Sequence, residues 1–183
     1  MVGGFQKPDI GIYQGADSLP NFIDGALGTP EAQKTVEPVC RKLTVWNGDL
    51  FITKDTHEYN YLETAEGKML PVPHCIRGTD GHRINAQVSA AYNRFGGFKV
   101  AFNKPTFGSV ELAKHLAMSS YSEVTFIGLC TDICVLSNAI MARAALPEAT
   151  IIVDARCCAG VSPESHQRAL DAMKVCNITI INE

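Results

Sequence analysis

The chain has no excess of positive charge. Its 16 Lys and Arg stand against 19 Asp and Glu, a formal net charge of −3. That balance argues against a nucleic-acid partner or an anionic membrane surface. No apolar run approaches the roughly 20 residues a membrane-spanning helix needs, so no span is expected. The first residues lack the basic stretch and apolar core of a signal peptide. There is no CxxC pair. The 7 cysteines, an odd number, fit a reducing cytoplasm better than a disulfide framework. Gly96-Gly97 lacks the spacing of a phosphate loop and reads as a turn. No Ser/His/Asp order suggests itself, and His82, His115 and His166 read as ordinary surface residues. No repeat or low-complexity tract appears. What remains is an ordinary globular composition, 46% apolar and 19% charged over 183 residues. It is long enough for one real core, so a single domain over 1–183 is expected.

Short apolar runs alternate with helical patterns. Residues 1–21 carry the weakest signal, with only Ile10 to Tyr13 able to make a short strand. Thr29-Pro30-Glu31 starts a helix to about Leu43, an N-cap followed by proline. Asp49 to Thr53, Phe98 to Phe102, Val124 to Gly128, Ala149 to Asp154 and Asn177 to Ile181 read as strands. Helices are expected over Asn85 to Asn93, from Ser109 to Met118, and from Ser162-Pro163 to Val175. Thr131 or Asp132 is expected to cap another, running to Leu146. Residues 58–80 read as a long polar loop and Ala155 to Val161 as a loop holding Cys157 and Cys158. This alternation implies βαβ units: a three-layer, Rossmann-like α/β/α fold with a mostly parallel sheet and an atypical first strand.

In such folds ligands bind at the C-terminal edge of the sheet. Asp55, His57, Lys104 and Cys134 each follow a different predicted strand there, apart from the Asp55 and His57 pair. Cys134 falls in the first turn of a helix, where unpaired N–H groups and the helix dipole favour thiolate. It reads either as a nucleophile or as a small core residue. Lys104 reads as a cation that keeps a thiolate ionised or as a solvated strand end. Asp55 and His57 share one face of an extended segment. With His74 and Glu66 from the loop they could bind a divalent metal of the Zn²⁺, Mn²⁺ or Fe²⁺ kind. As a solvated pair they would do nothing.

Lys54-Asp55-Thr56-His57, the run Leu70-Pro71-Val72-Pro73-His74-Cys75-Ile76-Arg77-Gly78-Thr79, Lys104, and Gly128-Leu129-Cys130-Thr131-Asp132-Ile133-Cys134-Val135 together resemble the nicotinamidase branch of the isochorismatase-like cysteine hydrolases. The resemblance covers about residue 17 to the end; residues 1–16 match poorly. It implies a triad of Cys134, Lys104 and Asp17, the last placed by the family's D-x-x-x-x-F spacing to Phe22. It implies an oxyanion hole from the backbone N–H groups of Cys130 and Cys134, with a cis peptide at Leu129-Cys130. Phe22 and Leu70 would flank the substrate. A divalent metal, Zn²⁺ foremost, would sit on Asp55, His57, His74 and Glu66, with Glu63 as the alternative acid. The implied activity is hydrolysis of nicotinamide or a similar small amide. The alternatives are a catalytically impaired binding or scaffold protein, and vinyl-ether hydrolysis, whose branch commonly lacks this metal set. Family members commonly assemble, so a homo-oligomer is compatible with the resemblance.

Overall fold

The computed structural model describes residues 10–15, 23 and 27–183. Among these residues, six parallel strands form one sheet: β1 (Ile10–Gly15), β2 (Asp49–Asp55), β3 (Lys99–Lys104), β4 (Glu123–Leu129), β5 (Thr150–Ala159) and β6 (Thr179–Ile181), in the order β3-β2-β1-β4-β5-β6. The helices are α1 (Pro30–Val45), α2 (Ala65–Met69), α3 (Ala86–Arg94), α4 (Val110–Ala117), α5 (Leu136–Ala145) and α6 (Pro163–Val175). The atypical first strand forms after all. It lies mid-sheet, with Ile12 opposite Phe51 of β2 and Phe126 of β4.

Alternation along each strand sends side chains to the two faces of the sheet. Leu50 and Ile52 of β2, with Ile127 and Leu129 of β4, meet Val36, Val39 and Leu43 of α1 and Val88 of α3. Phe51, Val124 and Phe126 face the other way. They meet Leu112 and Leu116 of α4, Ala139 and Ala142 of α5, and Leu170 and Met173 of α6. Along β2 and β4 both faces are therefore covered, which explains why those strand sequences are mostly apolar. At about 25 cal/mol per Å² of apolar surface removed from water, these layers supply the main drive to fold.

Helix starts follow local chemistry. Thr29, Ser109 and Ser162 each accept a backbone N–H with their hydroxyls, and Ser162 forms a reciprocal capping box with Ser165. Two expectations are corrected. Neither Thr131 nor Asp132 caps a helix. A π-helical turn over Thr131–Val135 intervenes before α5, and both side chains have other partners: Thr131 Oγ1 meets His166 Nδ1 at 2.8 Å and Asp132 accepts the Val161 N–H. Nor is Ala155 to Ala159 a loop. β5 bulges between its pairings of Val153 with Phe126 and Cys158 with Gly128, then continues to Ala159. The long 58–80 segment also carries structure, a 3₁₀ turn over Tyr61–Glu63 and then α2. No helix among the described residues is long and apolar enough to cross a membrane.

Candidate active site

The parallel register sets the site. Asp55, the last residue of β2, pairs directly with Lys104, the last of β3. Lys104 is 1% exposed, so its ammonium needs a partner on the spot. Its Nζ lies 3.2 Å from Asp55 Oδ1 and 3.4 Å from Cys134 Sγ. One buried cation thus touches both a carboxylate from its neighbouring strand and a thiol from beyond β4.

Cys134 is held by its turn. Gly128 adopts φ +123°, a region other residues avoid, and the Leu129–Cys130 peptide is cis, as the resemblance implied. The Cys130 carbonyl accepts N–H groups from both Ile133 and Val135 at 3.1 Å, which closes the π turn. Asn138, buried in α5, donates to the Cys134 carbonyl at 2.9 Å and to the Phe107 carbonyl, while its Oδ1 accepts the Ser109 N–H. Asn138 therefore locks the cysteine turn to the start of α4. Sequence reasoning passed over it; the signal was an amide inside an apolar helical stripe.

On the other side of Asp55 lies a second cluster. Asp55, His57, Glu66 and His74 each offer one ligand atom, and these atoms lie within 4.8 Å of one another. His57 Nε2 is 3.1 Å from Asp55 Oδ2 and 3.4 Å from Glu66 Oε1. His74 Nε2 is 3.4 Å from the same Asp55 oxygen and 3.7 Å from the same Glu66 oxygen. His74 Nδ1 donates to the Val72 carbonyl at 2.8 Å, a contact that turns Nε2 toward the cluster. Both Glu66 oxygens are buried and, among the described residues, neither has a hydrogen bond beyond its ion-pair contacts with the histidines. Two imidazole nitrogens and two carboxylates converging on one point are what a cation resolves, and nitrogen and oxygen donors without thiolate suit a divalent metal. Burial pushes the Asp55 carboxyl up, but the contacts of His57 and His74 and then the Lys104 charge outweigh it and hold the group well below the usual carboxylate range. Burial alone would lower His57; its hydrogen bond to Asp55 and the Glu66 carboxylate beside it lift it to about 9.

Tyr61 completes this pocket unforeseen by sequence reasoning. It is buried, its ring lies 4.6 Å from that of His57 and 4.9 Å from that of His74, and its hydroxyl donates to the Leu70 carbonyl at 2.9 Å. Leu70 caps the end of α2, the helix that carries Glu66, and is half-buried. Glu63, the alternative acid, is exposed and outside the cluster. The three histidines expected at the surface are each half-buried with partners: His115 against the Phe51 ring, His166 on Thr131, His82 on Thr56. Asp17 and Phe22 lie outside the described residues.

Residues 17–183 match the isochorismatase domain family. An isochorismatase family protein of Bacillus subtilis, PncA, described as uncharacterized, is 28% identical over 165 residues, 84% of this chain and 88% of that one. The fold is shared with the pyrazinamidase/nicotinamidase of Streptococcus mutans, at TM-score 0.81 and 26% identity over 94% of this chain and 99% of that one. It is shared also with the pyrazinamidase of Pyrococcus horikoshii, solved in complex with zinc, at TM-score 0.70 and 21% identity over 96% of this chain and 98% of that one. With a family match across nearly its whole length, the chain belongs to the isochorismatase family of hydrolases.

Proposed function

We propose that the protein is a metal-assisted cysteine amidohydrolase that converts nicotinamide or a similar small amide to the acid and ammonia. The observation that carries this reading is Lys104 Nζ, within hydrogen-bonding distance of both Cys134 Sγ and Asp55 Oδ1. It joins a thiol to a metal-type cluster in one buried site. The names of the similar structures, nicotinamidases and pyrazinamidases, favour a small heteroaromatic amide.

In this mechanism Asp17 accepts the thiol proton of Cys134. β1 ends two residues before Asp17, between the strands that deliver Asp55 and the Cys134 turn, and that position supports the assignment. Lys104 stabilises the thiolate by its charge. The sulfur attacks the amide carbonyl, and the N–H groups of Cys130 and Cys134 receive the developing oxyanion. The C–N bond breaks as Asp17 returns the proton to the leaving nitrogen, and ammonia departs from a thioester. Water then attacks the thioester carbonyl, which releases the acid and restores the thiol. Phe22 and Leu70 flank the substrate ring. Asp55, His57, Glu66 and His74 would hold the divalent metal, of which Zn²⁺ suits the donors first. When bound, it supplies a Lewis acid that orients a ring nitrogen and polarises water.

The test is ammonia release from nicotinamide and pyrazinamide. Wild-type protein should turn over at least one. Cys134→Ala and removal of the metal should each abolish release, and Lys104→Met should lower kcat by roughly 100-fold or more. Activity that survives Cys134→Ala, or no turnover on any of a panel of small amides, would overturn the proposal.

A further inference from the structure

Thr56 sits between Asp55 and His57 and faces the opposite way, as alternation along an extended segment requires. It is 4% exposed. Its N–H donates to the Lys104 carbonyl at 2.9 Å, which carries the β2–β3 pairing one residue past the strand. Its hydroxyl lies 2.9 Å from His82 Nε2, 3.1 Å from the Lys54 carbonyl and 3.3 Å from Asn103 Oδ1. His82 closes a 3₁₀ turn, Asp80–His82, eight residues beyond His74 in the same connection.

The protons in this chain of contacts have one consistent arrangement. An ammonium has only donors. Lys54 Nζ lies 3.4 Å from His82 Nδ1, so Nδ1 accepts. The proton of the neutral ring is then on Nε2, which donates to Thr56 Oγ1. The Thr56 hydroxyl proton is left to serve the Lys54 carbonyl or Asn103. Burial, followed by the Lys54 charge, holds the His82 ring below its ordinary pKa, which agrees with the neutral form.

The connection that carries His74 therefore grips the end of β2 on both sides. On the front, His74 approaches Asp55, and a bridge between His57 and Ile76 ties the backbones: His57 N–H to the Cys75 carbonyl at 3.0 Å and Arg77 N–H to the His57 carbonyl at 2.8 Å. On the back, His82 holds Thr56. We infer that His82 is a positioning residue. Through Thr56 it fixes the β2 exit against the loop, so that Asp55, His57 and His74 are set for a divalent cation before the cation arrives. This rests on the metal reading above and adds a residue to it that touches neither metal nor substrate. Partners that orient metal ligands from behind commonly account for roughly 10- to 100-fold in affinity.

The experiment measures Zn²⁺ affinity by competition with a chromophoric chelator, and thermal unfolding of the metal-free protein. It compares wild type, His82→Ala, His82→Gln, Thr56→Val and the double variant His82→Ala/Thr56→Val. His82→Ala and Thr56→Val should each weaken Zn²⁺ binding by about 10-fold or more. His82→Gln, whose amide can still donate to Thr56, should recover most of the loss. The double variant should bind no more weakly than either single one, because one contact is removed twice. Equal affinity in His82→Ala and wild type, additive losses in the double variant, or a lowered melting temperature with unchanged affinity would each overturn the positioning role alone. Wild-type protein that binds no divalent metal would overturn the metal reading and His82's role together.

Discussion

His57 owes its charge to two carboxylates. In the metal-free protein Asp55 and Glu66 lift it to about 9 against burial, so at neutral pH it is protonated. A folded pKa raised above the ordinary value of about 6.5 contributes stability that is complete below that pH and is lost as pH climbs through 9. Metal-free protein should therefore melt at progressively lower temperature between pH 6.5 and 9, and Glu66→Gln should flatten that slope. A metal must displace the same proton, so affinity should rise over the same window. Melting curves and metal titrations across the range check both, and a flat wild-type melting profile would remove His57 as the titrating group. Asp55, His57, Lys104 and Cys134 were legible in the sequence because their chemical types stand at the ends of apolar runs. Tyr61, Asn138 and His82 were not. Each acts on a carbonyl, ring or hydroxyl supplied by another part of the chain, and one-dimensional spacing carries no record of such a meeting.

Short α2 has little propensity to form alone and owes its position to its packing. A Cβ built on Gly67 would stand 2.0 Å from the Tyr61 carbonyl oxygen and 2.9 Å from Leu62 Cα, both backbone atoms that cannot swing aside. Only glycine lets α2 come down on the Tyr61 turn, and that approach brings the adjacent Glu66 to the cluster. Gly67→Ala should cost about 1–3 kcal/mol in stability through this clash and weaken divalent-metal binding. The exposed Glu63→Ala should do neither. Denaturant unfolding and chelator competition read the two effects, and wild-type affinity in Gly67→Ala would detach α2 from the site. The helix was invisible beforehand because five residues give too short a window for a 3.6-residue period. The π turn before α5 escaped for a different reason. Thr131 and Asp132 look like caps, but His166 and the Val161 amide occupy them. The second half of β5 was masked by polar Asp154 and Arg156, whose strand geometry is imposed by β4 across a bulge.

The layered α/β/α arrangement was readable because apolar runs and amphipathic stripes alternate, and parallel crossovers then leave few choices. Strand order was not readable, since periodicity says nothing about neighbours. β1 makes the point: its apolar signal is slight, yet it takes the place between β2 and β4 that organises the site. That arrangement also determines what a bound cation would do to the molecule. Its four candidate ligands would come from the exit of β2, from α2 and from the loop after it, so it would tie segments 55–57, 66 and 74 together at one sheet edge. Binding to the folded state alone at roughly 100 times the dissociation constant stabilises by about 2.7 kcal/mol. For a chain of this size each kcal/mol moves the melting temperature by about 2–4 °C, so a rise of about 5–10 °C is expected on saturation with Zn²⁺. Hydrogen exchange should slow most over residues 55–77, with α6 and β6 changing only as much as global stability does. A rise of the same size in Asp55→Asn, or protection spread evenly over the sheet, would place the cation somewhere other than this cluster.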